Sequence, residues 1–300
     1  MEAREDMFVP HSDSAFPLFD FPAPPLRPKS WAMNLKLQLS VQLSLFSAGA
    51  MLCTNAIAAP AGYKLSWADE FEGPSLNPTN WSYRQLGARH DAINTTNAVS
   101  VGGGHLTITT YTADGKPRTG MIASQGKFDR SFGYWEARIQ FDGAPGMWSA
   151  FWLQSPTMGK AIGDPATAGM EIDIIEHRFR DKADKDISGK GQLTLHWDGY
   201  GKDHKSKGEL TSDLGLGQGF HTYGLEWTDQ KYRFYIDDKL TWTAPTPVSK
   251  IPEYILLSSE VRNKSWAGNI PEAGYGSLET SKTKMIVDYV RFYEKTAEGK

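Results

Sequence analysis

The chain has 300 residues, 40% of them hydrophobic, which suffices for one large domain or two small ones. Its 32 Lys and Arg residues face 35 Asp and Glu residues, so the net charge of −3 lacks the broad positive field that a nucleic-acid partner requires. The single cysteine, Cys53, excludes an intramolecular disulfide, a cysteine-based zinc site and an iron–sulfur cluster.

The first 58 residues differ in pattern from the rest of the chain. Residues 1–32 show no helical or alternating periodicity, and a proline-rich run at 22–28 would break either element. We expect them to be disordered or an upstream extension before a true start at Met33. Residues 33–58 combine an early lysine, an apolar stretch and Ala56-Ile57-Ala58, a pattern typical of a secretory signal peptide. Cleavage near Ala58 would leave a secreted or periplasmic protein. The alternative, a membrane anchor, is disfavoured because the apolar run is short and interrupted by Ser and Gln.

From residue 60 to 296 we expect one domain, because no long linker, repeat or charge block divides this part of the chain. Short runs that alternate in polarity or are rich in β-formers recur between Gly and Asp turn signals. The clearest predicted strands are 105–111, 133–141, 191–197, 232–237 and 284–293. Such a series predicts an all-β fold, a β-sandwich of the jelly-roll type with two antiparallel sheets and an open cleft on the concave face.

The most informative segment is Glu171-Ile-Asp173-Ile-Ile-Glu176, in which three acids interrupt a run of isoleucines. Glu171 and Asp173 share one face of a strand, whereas regular alternation would turn Glu176 into the core. Because a buried lone carboxylate is costly, we predict a β-bulge at Ile174-Ile175 that returns Glu176 to the face of the other two acids. The outer pair would then lie roughly 5–6 Å apart, the separation found in retaining glycosidases. The alternative is a Ca²⁺ site or a solvated acidic face.

This segment resembles the signature of glycoside hydrolase family 16, Glu-x-Asp-x-(x)-Glu, in its longer, bulged form. Further segments resemble strands of the same family in the same order, namely 67–71, 146–153, 220–227 and 287–293. The resemblance covers nearly all of the chain after residue 60. It implies that Glu171 is the nucleophile, Glu176 the acid/base, and Asp173 the neighbour that hydrogen-bonds and tunes the nucleophile.

Aromatic residues near the acids are candidate walls of a sugar-binding cleft. Trp148 and Trp152 share a strand face and could stack on sugar rings, with packing in the core as the alternative. His196 and Trp197 resemble the family's Leu-His segment, where the histidine faces the cleft, although a structural histidine remains the alternative. Glu260 lies in an apolar strand, which suggests a cleft position. Trp266, on the following loop, is a further candidate platform or simply an exposed aromatic residue.

The Ser258-Ser-Glu260-Val segment looks more like the agarase and carrageenase side of the family than like the common glucanases. Glu70 and Asp288 match positions near a structural Ca²⁺ site in some relatives, so we list them as possible metal ligands. No cofactor is otherwise required.

Together these features predict an exported, endo-acting, retaining β-glycosidase that hydrolyses a β-1,3- or mixed-linkage glucan or a red-algal galactan. The alternatives are a non-catalytic carbohydrate-binding sandwich and a transglycosylase on the same fold. We expect a polysaccharide as the partner, with no nucleic acid, no stable membrane insertion, and a monomeric state.

Overall fold

A computed structural model describes residues 60–297 of the chain. The predictions for residues 1–32 and for the signal peptide at 33–58 lie outside this part. Twenty strands account for most of the regular structure: β1 (Tyr63–Asp69), β2 (Ser82–Tyr83), β3 (Gly87–Arg89), β4 (Ala92–Asn94), β5 (Val99–Gly102), β6 (His105–Thr109), β7 (Tyr111–Ala113), β8 (Lys116–Thr119), β9 (Met121–Ala123), β10 (Asp129–Arg130), β11 (Gly133–Asp142), β12 (Met147–Gln154), β13 (Glu171–Arg178), β14 (Gln192–Trp197), β15 (Lys205–Leu210), β16 (Phe220–Trp227), β17 (Tyr232–Ile236), β18 (Lys239–Ala244), β19 (Glu253–Val261) and β20 (Lys284–Lys295). The described helices are a 3₁₀ turn, Thr96–Ala98, and one short α-helix, α1 (Pro165–Ala168).

The strands form two large antiparallel sheets and a small third one. The first sheet has the order β18-β17-β16-β11-β20-β6-β5, with β1 also paired to β20. The second has the order β15-β14-β13-β12-β19-β9-β2, with β10 also paired to β19. A four-stranded sheet, β3-β4-β8-β7, completes the fold. The predicted all-β sandwich is confirmed, and each of the five clearest predicted strands overlaps an observed strand, with ends that differ by at most two residues.

The core lies between the two large sheets because alternate residues of each point inward. Trp135 and Phe141 of β11 meet Phe151 and Leu153 of β12 in one buried cluster, as strand periodicity dictates. The outer face of the second sheet has a separate apolar cluster that includes Trp152. This outer face, rather than the core, therefore provides the floor for a site open to solvent.

The predicted bulge is present in β13. On the β12 side, Phe151 pairs with Ile175 and Trp152 with Asp173, so Ile174 has no counterpart. Ile174 and Ile175 both join the core cluster, and the strand crosses this point with one extra residue. The cost of burying a charged side chain without a partner explains why the chain bulges here instead of continuing in regular alternation.

Candidate active site

The three acids of β13 line one cavity on the outer face of the second sheet. Its volume is about 350 Å³, and its wall is formed by Arg89, His90, Trp148, Ala150, Trp152, Glu171, Asp173, Glu176, Tyr200 and Glu260. The acids come from the central region of the sheet, where β12 and β14 flank β13 on either side. The bulge therefore places Glu176 beside Glu171 and Asp173 and not in the interior.

Burial shifts the protonation of all three acids in the same direction. Burial, followed by repulsion from Asp173, raises the pKa of Glu171 to about 8, against the usual 4.5. Burial and the charges of Asp173 and Glu171 raise the pKa of Glu176 well above its usual value, and Arg178 only partly opposes this. Burial also raises the pKa of Asp173, although His196 opposes the shift. Such a cluster holds a proton at neutral pH, which a general acid needs.

His196 lies where the resemblance implies, on the cleft side of β14. Its Nε2 is 3.3 Å from Asp173 Oδ2 and 3.9 Å from Glu171 Oε1. Its Nδ1 is 2.9 Å from Nε2 of His204, so the two imidazoles share a hydrogen bond. Burial lowers the pKa of His196, but the hydrogen bond and charge of Asp173 outweigh burial and raise it.

The structure corrects the prediction for Trp197. This side chain packs against the core cluster between the sheets and does not line the cavity. The physical reason is strand parity, because adjacent residues of β14 point to opposite faces and His196 already takes the cleft side.

The other predicted aromatic residues lie in or beside the cavity. Trp148 and Trp152 both line it, and Trp152 Nε1 donates a hydrogen bond to Ser258 Oγ at 3.1 Å. Trp266 stands behind Trp148, with ring centroids 5.6 Å apart in an edge-on arrangement, and Arg178 lies over its ring at 4.3 Å. Trp266 thus packs against Trp148 and does not itself line the cavity.

Glu260 is held at the cavity wall by two residues from the small third sheet and its turn. Arg89 Nε donates to Glu260 Oε2 at 2.8 Å, and His90 Nε2 lies 3.0 Å from the same oxygen. Burial raises the pKa of Glu260, but the hydrogen bonds from His90 and Arg89 outweigh it, so the pKa falls below its usual value. Glu260 is therefore an ionised group facing the cavity.

Glu70 and Asp288 do not form the possible metal site. Arg291 binds both carboxylate oxygens of Glu70, at 2.8 and 2.9 Å, and Arg138 donates to Asp288 Oδ2 at 2.6 Å. Carboxylates already neutralised by guanidinium groups do not fit a Ca²⁺ ion, which needs several free oxygen ligands. Among residues 60–297, the only cluster of three or more metal-type ligands is Glu171, Asp173 and His196.

Several residues that contact the carboxylates of the cavity were not predicted from the sequence. Tyr200 donates a hydrogen bond from its hydroxyl to Glu171 Oε2, and Gln154 Nε2 donates to the same oxygen at 3.1 Å. Arg89 and His90 precede the short strand β4 and pair with Glu260. The one available signal was Asp198-Gly-Tyr-Gly, an aromatic residue in a glycine turn directly after the strand that carries His196.

Glu253 is fully buried, and its ionisation gives a prediction for how the free energy of unfolding depends on pH. Glu253 Oε1 accepts a hydrogen bond from the Met170 amide at 3.0 Å, and burial raises its pKa to about 8 from 4.5. A raised carboxyl pKa favours the folded state fully below pH 4.5, and this contribution is lost as pH rises through 8. We expect wild type to lose roughly 3–5 kcal/mol of unfolding free energy on this account between about pH 5 and pH 9.

The Glu253→Gln variant is expected to escape this loss, because its amide does not ionise. Urea unfolding of both proteins across this pH range measures the difference, and Glu209→Gln, at an exposed position, is the matched control. Parallel pH dependence in wild type and Glu253→Gln would contradict the prediction.

Known proteins resemble this chain in amino-acid sequence. A family model described as "Beta-porphyranase A-D, GH16 domain" matches residues 64–295. Endo-1,3-1,4-beta-glycanase ExsH of Rhizobium meliloti (strain 1021) is 28% identical over 247 residues, covering 78% of this chain and 48% of that protein. Beta-porphyranase E of Zobellia galactanivorans is 28% identical over 250 residues, covering 76% of this chain and 86% of that protein. The chain thus spans about half the length of the first of these relatives.

A solved structure shows the same fold. The laminarinase from Flavobacterium sp. UMI-01 superposes with a TM-score of 0.63 at 24% identity, covering 77% of this chain and all of that one (100%). At this identity the likeness concerns the fold. Within residues 60–297, no helix has the length and apolar character needed to span a membrane.

Proposed function

The chain belongs to glycoside hydrolase family 16, and from this membership we propose that it is an endo-acting, retaining β-glycan hydrolase. The observation that carries the proposal is the bulged strand, which brings Glu171, Asp173 and Glu176 to one open cavity walled by Trp148 and Trp152. Two carboxyl groups with different roles are what a double displacement needs, and indole rings are suited to stacking on sugar faces.

In the first step, Glu171 attacks the anomeric carbon and the glycosidic bond to the leaving oxygen breaks. Glu176 transfers its proton to that oxygen, so the departing sugar leaves as an alcohol. In the second step, the Glu176 carboxylate takes a proton from water. The resulting hydroxide attacks the anomeric carbon and releases Glu171. Two inversions at one carbon retain the β configuration.

Asp173 serves Glu171 and is not itself a reacting group in this scheme. Its charge repels that of Glu171, and its carboxylate engages His196, which limits the negative charge of the cluster. His196 thereby offsets part of the cost of ionising a buried nucleophile.

For the substrate, we place a β-linked galactan first and a β-1,3- or mixed-linkage glucan second. The matching family model is of the porphyranase type, and the sequence from Ser258 to Glu260 differs from the pattern common among glucanases of the family. Both classes are polymers of β-linked sugars that would lie across the open cavity. We also propose that residues 33–58 direct export and are removed near Ala58.

The test is a panel of porphyran, agarose, carrageenan, β-1,3-glucan and mixed-linkage glucan, with products identified by mass spectrometry. Proton NMR during the first minutes of reaction should show the β anomer before mutarotation, and oligosaccharides of mixed length would establish endo action. An initial α anomer would exclude the retaining mechanism. Binding without any product would favour the carbohydrate-binding alternative, and larger products with an added acceptor would favour transglycosylation.

A further inference from the structure

The two carboxylate oxygens of Glu171 have unequal surroundings. Oε2 accepts hydrogen bonds from Gln154 Nε2 and from the Tyr200 hydroxyl. Within residues 60–297, no side-chain donor lies within hydrogen-bond distance of Oε1, and the nearest basic nitrogen is His196 Nε2 at 3.9 Å. Both donors thus bind Oε2, and Oε1 keeps its lone pairs available for attack on the substrate.

The orientation of the Gln154 amide is fixed from its far side. Its Oε1 accepts from the Tyr254 hydroxyl at 2.6 Å and from Arg84 Nη2 at 3.2 Å. An amide oxygen can only accept and an amide nitrogen can only donate, so two donors at one end dictate that the NH₂ group faces Glu171. If the Gln154 amide were flipped, its NH₂ group would face the donors of Arg84 and Tyr254, and no hydrogen bond could form there.

The hydroxyl groups of Tyr254 and Tyr200 can each donate their proton to only one acceptor in this network. Arg84 Nη2 donates to the Tyr254 hydroxyl at 2.8 Å, so the proton of Tyr254 goes on to Gln154. Gln154 Nε2 in turn donates to the Tyr200 hydroxyl at 2.6 Å, so the proton of Tyr200 goes on to Glu171. Because a guanidinium group is always charged and never accepts, every donor in the series points away from Arg84.

We propose that Arg84, Tyr254, Gln154 and Tyr200 form a one-way chain of hydrogen bonds that positions the nucleophile Glu171 with Oε1 as its attacking atom. This inference rests on the proposed function, because it refines the role of the same carboxylate. Gln154 and Tyr200 act as positioning residues, since they work through Glu171. Arg84 and Tyr254 set the direction of the chain without contacting Glu171.

The chain also bears on the charge of the nucleophile. Burial and Asp173 raise the pKa of Glu171, whereas the hydrogen bond from Tyr200 lowers it and so favours the ionised form. Donors that are aligned head to tail polarise one another, which strengthens the last bond of the series. Tyr200 as a residue is 64% exposed and belongs to no buried apolar cluster, so removal of its hydroxyl should not disturb the core.

The first test is Tyr200→Phe, which deletes only the hydroxyl. We expect kcat to fall about 10- to 100-fold with KM changed less than about twofold, the range for a lost hydrogen bond to a charged group. The acidic limb of the pH profile should move to higher pH, because the pKa of Glu171 rises without its donor. Tyr235→Phe, on the outer face of the first sheet, is the matched control and should match wild type.

The second test is a cycle of Gln154→Leu, Tyr200→Phe and the double variant. Without Gln154, the Tyr200 hydroxyl is no longer constrained to donate its proton to Glu171. The fold-loss of activity in the double variant should therefore be clearly smaller than the product of the fold-losses in the two single variants. Arg84→Met should shift the pH limb in the same direction, although Arg84 makes no hydrogen bond to Glu171. Independent, multiplicative losses would overturn the chain.

A third measurement does not depend on turnover. Carbon-13 NMR titration of the glutamate carboxyl carbons, with Glu171 assigned from Glu171→Gln, should show a higher pKa for Glu171 in Tyr200→Phe than in wild type. An unchanged pKa, with KM alone raised in Tyr200→Ala, would overturn the inference and make Tyr200 a wall of the sugar site. A raised pKa in a protein that cleaves no glycan would count against the proposed function alone.

Discussion

Replacing Glu171 with glutamine is expected to lower kcat by about 10⁴-fold or more on any polymer that the wild-type protein cleaves. The amide keeps the shape of the side chain but has no negative charge and cannot form the covalent glycosyl intermediate. Steady-state assays of reducing ends, with detection limits set by the uncatalysed rate, measure this effect. Wild-type rates in Glu171→Gln would exclude Glu171 as the nucleophile.

The control for this variant is a test of binding. Because Trp148 and Trp152 remain in place, Glu171→Gln should still bind oligosaccharides, and isothermal calorimetry should give a dissociation constant within a few-fold of the wild-type KM. A second control is mass spectrometry of wild type after reaction with a slow 2-deoxy-2-fluoro glycoside. The added sugar should map to a peptide that contains Glu171, and labelling elsewhere would contradict the assignment.

Replacing Glu176 with glutamine is expected to reduce kcat/KM on polysaccharide by about 10²- to 10⁴-fold, the usual contribution of general acid catalysis. The effect should depend on the leaving group. A dinitrophenyl glycoside leaves without protonation, so its bond cleavage should be much less affected, and the reaction should then stall at the covalent intermediate. Azide, which needs no general base, should restore turnover and give a β-glycosyl azide.

The pH profile gives a separate measure of Glu176. Wild-type activity should fall as pH rises through the pKa of Glu176, because the acid must be protonated in the first step. That pKa is raised well above 4.5 by burial and by the neighbouring carboxylates, so the alkaline limb should lie well above this value. The limb should vanish in Glu176→Gln. Equal losses on polymer and on the activated glycoside would show that Glu176 is not the acid.

Much of this arrangement could be predicted from residue pattern. The bulge follows from one conflict, since three acids and three isoleucines cannot all be satisfied by regular alternation. The same rule of alternation also excludes Trp197 from the cleft once His196 is assigned to it, so that error was avoidable. Long strands with a buried face were identified correctly because their periodicity is strong.

Other features depend on contacts that the pattern of one strand does not contain. The third sheet consists of strands of three or four residues, too short for periodicity to be read, and β4 and β8 pair in parallel across distant sequence. Tyr200 contacts Glu171 because of the conformation of the loop after β14. Glu70 pairs with Arg291, which lies in a strand more than 200 residues later in the sequence. Such pairings follow from tertiary structure, which sequence spacing does not encode.

The bulge has a consequence for how this group of enzymes could diversify. The residues around Ile174 pair as though it were absent, because Phe151 and Trp152 are consecutive on β12 while their partners, Ile175 and Asp173, are not. Loss of the Ile174 codon would leave an unbroken ladder with the acids still facing outward. A single deletion of one codon therefore connects the two lengths of acid strand while the three acids keep the same face of the sheet.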